Sequence, residues 1–94
     1  MSEELSTKER KNLRRLAHSL KPVVMVGQHG FSATVVNEID GALTAHELIK
    51  VRVRGMDRDE RQEKTEEVAN ELSAQVVGII GGVITLYRKR SEVD

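Results

Sequence analysis

The chain reads as a single α/β domain with a mixed four-stranded sheet, in the order helix, strand, helix, strand, helix, strand, strand. Three observations predict this. Leu48 to Arg54 alternates Ile49, Val51 and Val53 with Lys50, Arg52 and Arg54, the period of a strand with one buried and one wet face. On either side, Val35, Val36, Ile39, Ala42 and Leu43, and then Thr65, Val68, Ala69 and Leu72, recur at helical spacing. Last, Gln75–Ile80 and Val83–Tyr87 flank Gly81-Gly82, a hairpin signal. At 94 residues, positions 1–94 form one domain with one modest core.

The elements follow in order. Ser6-Thr7-Lys8-Glu9 is a capping-box sequence that opens a helix running to about Ala17, with Leu13, Leu16, Ala17 and Leu20 as its apolar stripe. Lys21-Pro22 ends that segment, because the residue before proline disfavours helix. Val23–Val26 is apolar on both sides and is expected to be an interior, parallel strand. Ser32 caps a second helix that reaches about Ala45. Asp57-Arg58-Asp59-Glu60 opens a third with acids in its first turn, where the dipole favours them. Right-handed crossovers place the second and third helices on one face of the sheet. The sheet is expected to combine parallel crossovers with one antiparallel hairpin. The ordered core spans about 5–88, and Arg88 onward is expected to be a loose charged tail.

Between the first strand and second helix lies Gly27-Gln28-His29-Gly30. A strand that feeds a G-x-x-G turn at a helix N-terminus lets backbone approach an anion, with free N–H groups and the helix dipole behind it. An isolated G-x-x-G is more often an ordinary turn. Here Lys8, Lys11, Arg14, Arg15 and Lys21 lie upstream, and Lys50, Arg52 and Arg54 form a second basic stripe. Net charge is zero overall, yet nine Lys/Arg against six Asp/Glu through Arg54 give +3, and three against seven from Gly55 to Leu72 give −4. A polyanion needs a local basic face rather than a basic total.

Other chemistries find little support. The chain has no cysteine, which excludes disulfides and thiolate metal sites and points to a reducing compartment, the cytoplasm. His18, His29 and His46 are scattered, so no metal site and no cofactor are expected. No nucleophile stands beside a base, so no enzyme is expected. One Phe and one Tyr argue against base-stacking platforms built on aromatics. No stretch is long enough to span a bilayer, and the charged N-terminus lacks an apolar signal core.

Two rival readings stay open. The chain is a protein-interaction module docking through its acidic third helix, or an enzyme that holds a small phosphorylated ligand in the loop and uses His29 as base.

The string Leu16-Ala17-His18-Ser19-Leu20-Lys21-Pro22-Val23-Val24-Met25-Val26-Gly27-Gln28-His29-Gly30, with His46-Glu47-Leu48-Ile49-Lys50-Val51, resembles the CRM domain family (chloroplast RNA splicing and ribosome maturation) in its bacterial stand-alone YhbY form. The resemblance runs from Leu5 to about Arg88. It implies a fold similar to the C-terminal domain of a bacterial translation initiation factor. It also implies RNA binding through Gly27, Gln28, His29 and Gly30 with the basic residues Lys8, Lys11, Arg14 and Arg15. The RNA implied is ribosomal RNA in precursors of the large subunit; the chain itself is expected to be a monomer with no membrane and no small-molecule substrate. Phe31 stands where many relatives carry leucine, and a core or staple contact is its expected role.

Overall fold

The first helix begins at a capping box. The Ser6 hydroxyl accepts from the Glu9 N–H at 3.0 Å, and the Glu9 carboxylate accepts from the Ser6 N–H at 2.9 Å. Two orphan donors are thereby satisfied at once. This opens α1 (Thr7–Ala17), followed by β1 (Pro22–Val26), α2 (Ala33–His46), β2 (Leu48–Val53), α3 (Arg58–Glu71), β3 (Gln75–Ile80) and β4 (Val83–Tyr87). The computed structural model of the chain describes residues 5–90. Ser32 and Asp57 cap α2 and α3, each accepting from the backbone N–H three residues on.

The four strands form one sheet in the order β1-β2-β4-β3. β1 and β2 are parallel; β4 runs antiparallel to both β2 and β3. The connection from β2 through α3 passes over β4, so parallel neighbours occur once and antiparallel neighbours twice. β1 is also an edge strand rather than an interior one. Val24 and Val26 are buried, but Val23 and Met25 are 53% and 57% exposed. Pro22 fits that position, since proline at a strand's first residue leaves an edge hydrogen bond unmade.

α2 and α3 cover one face. Ile39 and Leu43 from α2 and Val68 and Ala69 from α3 meet Val24, Val26, Ile49, Val51, Val53, Ile84 and Leu86 in one core cluster. Full burial of Ile39 or Leu43 is worth roughly 2–3 kcal/mol each. Phe31 packs against this cluster, as expected of an anchor. No helix of the described residues is long and apolar enough to cross a membrane.

α1 lies on the opposite face, against β2 and β3. A Cβ built on Gly78 would meet the Arg14 Cδ at 3.5 Å, and Gly78 pairs across Thr85 with Lys50. The helix therefore covers the Lys50–Thr85–Gly78 row. Arg10 donates to the Val76 carbonyl beside an irregularity in β3. Ala17 is buried and Leu13 half-buried, but Leu16 and Leu20 are exposed, so the expected four-residue stripe shrinks to two.

The segment from Arg88 is not loose at its start. The Arg88 guanidinium meets the Asp40 carboxylate at 2.6 Å, the Leu72 carbonyl at 3.0 Å, the Asp40 carbonyl at 3.0 Å and the Thr44 hydroxyl at 2.8 Å. Its backbone N–H donates to Glu47, and Arg90 bonds Glu47 and Ala45. These bonds tie the C-terminal ends of α2 and α3 together, at the end of the sheet away from Gly27–Gly30. Residues 91–94 of the expected tail lie outside the described residues.

Candidate nucleic-acid interface

The carboxyl ends of β1, β2 and β3 point the same way, and the loops that follow them share one end of the sheet. Ligands of open α/β sheets bind in this position. After β1, the Gly30 N–H donates to the Gly27 carbonyl at 3.0 Å, closing a tight turn, and the Ser32 N–H donates to the Gly30 carbonyl at 3.0 Å. Gly30 has φ +66°, the left-handed region that favours glycine. A Cβ there would lie 3.3 Å from the Met56 Cε; around Gly27 a Cβ would meet nothing within 4 Å. Gly27, Gln28 and His29 are exposed.

The turn delivers the chain to the N-terminus of α2, whose first turn contains no acidic residue. At α3 the equivalent position is occupied by Asp59 and Glu60. Of these two helix starts, the one behind the glycine turn is the one whose dipole is uncompensated.

Gly27, Gln28, His29, Gly30 and Phe31 line a concavity of about 360 Å³ with Arg54, Gly55, Met56, Glu60 and Lys64. Arg54 is held there by its backbone N–H, which donates to the Val26 carbonyl at 2.9 Å. Lys64, Glu60 and Met56 are not among the site residues that the sequence suggests. Lys64 looks like one charge among many on an acidic helix, and only the β2–α3 connection brings it to the loop. It also pairs with Glu67 at 3.6 Å, both side chains being well exposed. Arg61 of α3 donates to the Met56 carbonyl and to the Gly81 carbonyl, both at 2.9 Å. It fixes the β2–α3 loop against the β3–β4 hairpin.

The other expected residues fall into two places. Lys50 and Arg52 lie on the sheet face that carries α1, Lys50 half-buried and Arg52 exposed. Lys8, Lys11 and Arg15, with His18 just past the helix end, line one exposed strip of α1 together with Arg14. Arg14 lays its methylenes on Gly78 while remaining exposed. Arg15 donates to the Asn12 side chain at 2.6 Å. Lys21 precedes β1, six positions before Gly27, so it sits roughly 20 Å from the loop at the strand rise per residue. Its nearness in sequence is not nearness in space. No described residue of α1 lines the loop concavity. Among the described residues no cluster of His, Cys, Asp or Glu has the makings of a metal site.

Charge is segregated by layer. No strand contains an acidic residue, and the one described acid of α1, Glu9, is bonded to Ser6. Every other described carboxylate lies on α2, α3 or the residues that flank them.

Comparison with known proteins agrees with this architecture. A protein of Haemophilus influenzae named as an RNA-binding protein is 46% identical over 88 residues, which is 94% of this chain and 89% of that one. One of Pseudomonas aeruginosa, named as a probable RNA-binding protein, is 34% identical over 85 residues, 90% of this chain and 82% of that one. Among solved structures, the solution structure of a Staphylococcus aureus protein, described as a candidate RNA binding protein, superposes with a TM-score of 0.84 at 32% identity. It covers 97% of this chain and 95% of that one. The family described as the CRS1 / YhbY (CRM) domain matches residues 5–88, and the chain belongs to that family.

Proposed function

We propose that this chain is an RNA-binding domain, not an enzyme, that grips a single-stranded RNA backbone at the Gly27–Gly30 turn. One observation carries the reading. A glycine turn at the acid-free N-terminus of α2 opens into a concavity shared with Arg54 and Lys64. Backbone N–H groups and the helix dipole take a phosphate, and the two cations neutralise its neighbours. Gln28 and His29 add exposed polar contacts. Lys8, Lys11, Arg14 and Arg15 on α1, with Lys50 and Arg52 on the sheet, extend the basic surface, and Lys21 adds charge at its far edge.

The family and the names of the relatives support RNA as the polyanion. The finer reading is ribosomal RNA in precursors of the large subunit, bound by a cytoplasmic monomer that assists assembly. It rests on the resemblance to the stand-alone YhbY form.

Salt dependence tests the first part. If about four phosphates of a single strand are neutralised, log K falls against log salt with a slope near −3. An affinity indifferent to salt contradicts it. Co-sedimentation of the tagged chain with large-subunit precursors, against mature subunits and free RNA, tests the second. Equal recovery across all fractions contradicts a role in assembly.

A further inference from the structure

One face of the sheet is left half covered. The register aligns Met25 with Arg52, Arg52 with Val83, and Val83 with Ile80, a row across all four strands. Arg52 alternates with the buried Val51 and Val53, so this row faces away from the core cluster, on the α1 side. α1 stops at the neighbouring Lys50–Thr85–Gly78 row. Met25 is 57% and Ile80 80% exposed, and Val23 adds a third apolar group on the same face of β1. The row begins two residues before Gly27, roughly 7 Å at the strand rise per residue. It therefore fills the ground between the glycine turn and the first helix.

Its chemistry is apolar, and the only charge carried by the strands themselves is positive. Arg52 sits within the row, Arg14 lies over Gly78 at one border, and Arg54 stands at the loop border. No carboxylate lies on any strand. An uncovered apolar row with cations at its borders matches a chain whose backbone is anionic and whose side groups are flat and poorly hydrated. Unstacked RNA bases are such groups, and sequence-reading RNA proteins splay them against side chains. In other nucleic-acid binders, apolar side chains without aromatic rings also contact base faces.

We propose that the Met25–Arg52–Val83–Ile80 row is a base platform. A single strand held by phosphate at Gly27–Gly30 lays its next bases across this row toward α1. The proposal rests on the RNA-binding reading and deepens it: it makes unpaired RNA the preferred ligand and supplies an apolar component that salt does not remove.

Met25→Ser with Ile80→Ser tests it, since both side chains are exposed and the fold does not depend on them. The probes are a short fluorescein-labelled oligouridylate and a labelled hairpin duplex, each titrated across a salt series. The double variant is expected to melt like the parent and to bind the oligouridylate roughly tenfold more weakly with an unchanged salt slope. Duplex affinity should not change. In parallel, photocrosslinking of a 4-thiouridine oligomer to the unaltered chain should label Met25 or Ile80. Equal oligouridylate affinity for variant and parent, or crosslinks that avoid this row, overturns the platform while leaving backbone binding intact. In that event an acidic amphipathic protein segment becomes the occupant to seek. A parent chain that binds neither probe at low salt overturns the RNA reading itself, and the platform with it.

Discussion

A carboxylate introduced into the glycine turn separates binding from folding, and the two glycines are not equivalent for this purpose. At Gly27 an added Cβ meets nothing within 4 Å and φ is not positive, so Gly27→Asp needs no rearrangement. Loss of glycine's freedom in the unfolded chain even favours the variant by a few tenths of a kcal/mol. At Gly30 the backbone stands at φ +66°, and the Cβ would press on the Met56 Cε at 3.3 Å. The methionine tip yields easily. The left-handed conformation costs a residue with a Cβ about 1 kcal/mol, with Asp at the lower end. For a domain of this size that is a fall in Tm of about 4–8 °C. On RNA the two variants act alike. A carboxylate about 4 Å from a bound phosphate costs roughly 1 kcal/mol in water-like surroundings and more where shielded. The corresponding loss of affinity is about fivefold or greater. The assay pairs thermal melting with fluorescence anisotropy on a single-stranded RNA, using Gly27→Asn to separate charge from bulk. The expected order of affinity is parent, then Asn, then Asp, with the melting curves of the position-27 variants unchanged. A folded Gly27→Asp chain that binds RNA as tightly as the parent refutes the role given to the turn.

Four further outcomes follow from the same structure. Arg88→Leu removes the guanidinium that meets Asp40, Leu72 and Thr44, and should cost about 2 kcal/mol by chemical denaturation while leaving RNA affinity unchanged. The Glu9 carboxyl is held below its ordinary value, first by the Ser6 backbone N–H and then by the Ser6 side chain. A depressed carboxylate stabilises the fold above its unfolded pKa, and that stability is lost as pH falls through the folded value, so the chain should melt at lower temperature as pH falls below about 4.5. Ser6→Ala keeps the backbone N–H that is the larger cause, so it should remove only the side-chain share of this acid dependence, while loss of the N-cap hydroxyl should cost about 1 kcal/mol at neutral pH, read from melting at several pH values. Glu63→Lys with Glu67→Lys should leave RNA affinity undiminished, whereas Arg14→Ala with Arg15→Ala should weaken it and flatten the salt slope by about 1. The reverse pattern, in a pull-down against ribosomal proteins and an RNA titration, would favour the protein-docking reading.

The elements were legible because each is written locally. The Ser6–Glu9 box, the Ser32 and Asp57 caps and the Gly81-Gly82 turn act over a few residues, and all stand where the sequence places them. What was not legible depends on pairing across the sheet. Val23–Val26 looks buried on both sides because apolar residues alone cannot say whether a second layer lies above them. The insertion of β4 between β2 and β3 leaves β1 on the edge and exposes Met25. Pro22, read from the sequence only as the end of the first helix, fits that edge position. The site divides in the same way. The turn and Arg54 were readable, while Lys64 reaches the concavity only through the β2–α3 connection. Lys21 is near the loop in sequence, but the strand between them separates the two in space. Arg88 seemed part of a solvated tail, since its partners Asp40, Thr44 and Leu72 lie far back in the chain.

The most direct test of the account is where RNA touches the protein. Ultraviolet crosslinking of the unaltered chain to RNA, with the linked peptides identified by mass spectrometry, should place adducts on the Gly27–Gly30 turn and on the Arg52–Met56 segment beside it. RNA recovered with adducts confined to α3, or to α1 with the turn unmarked, would contradict the claim that the glycine turn holds the backbone.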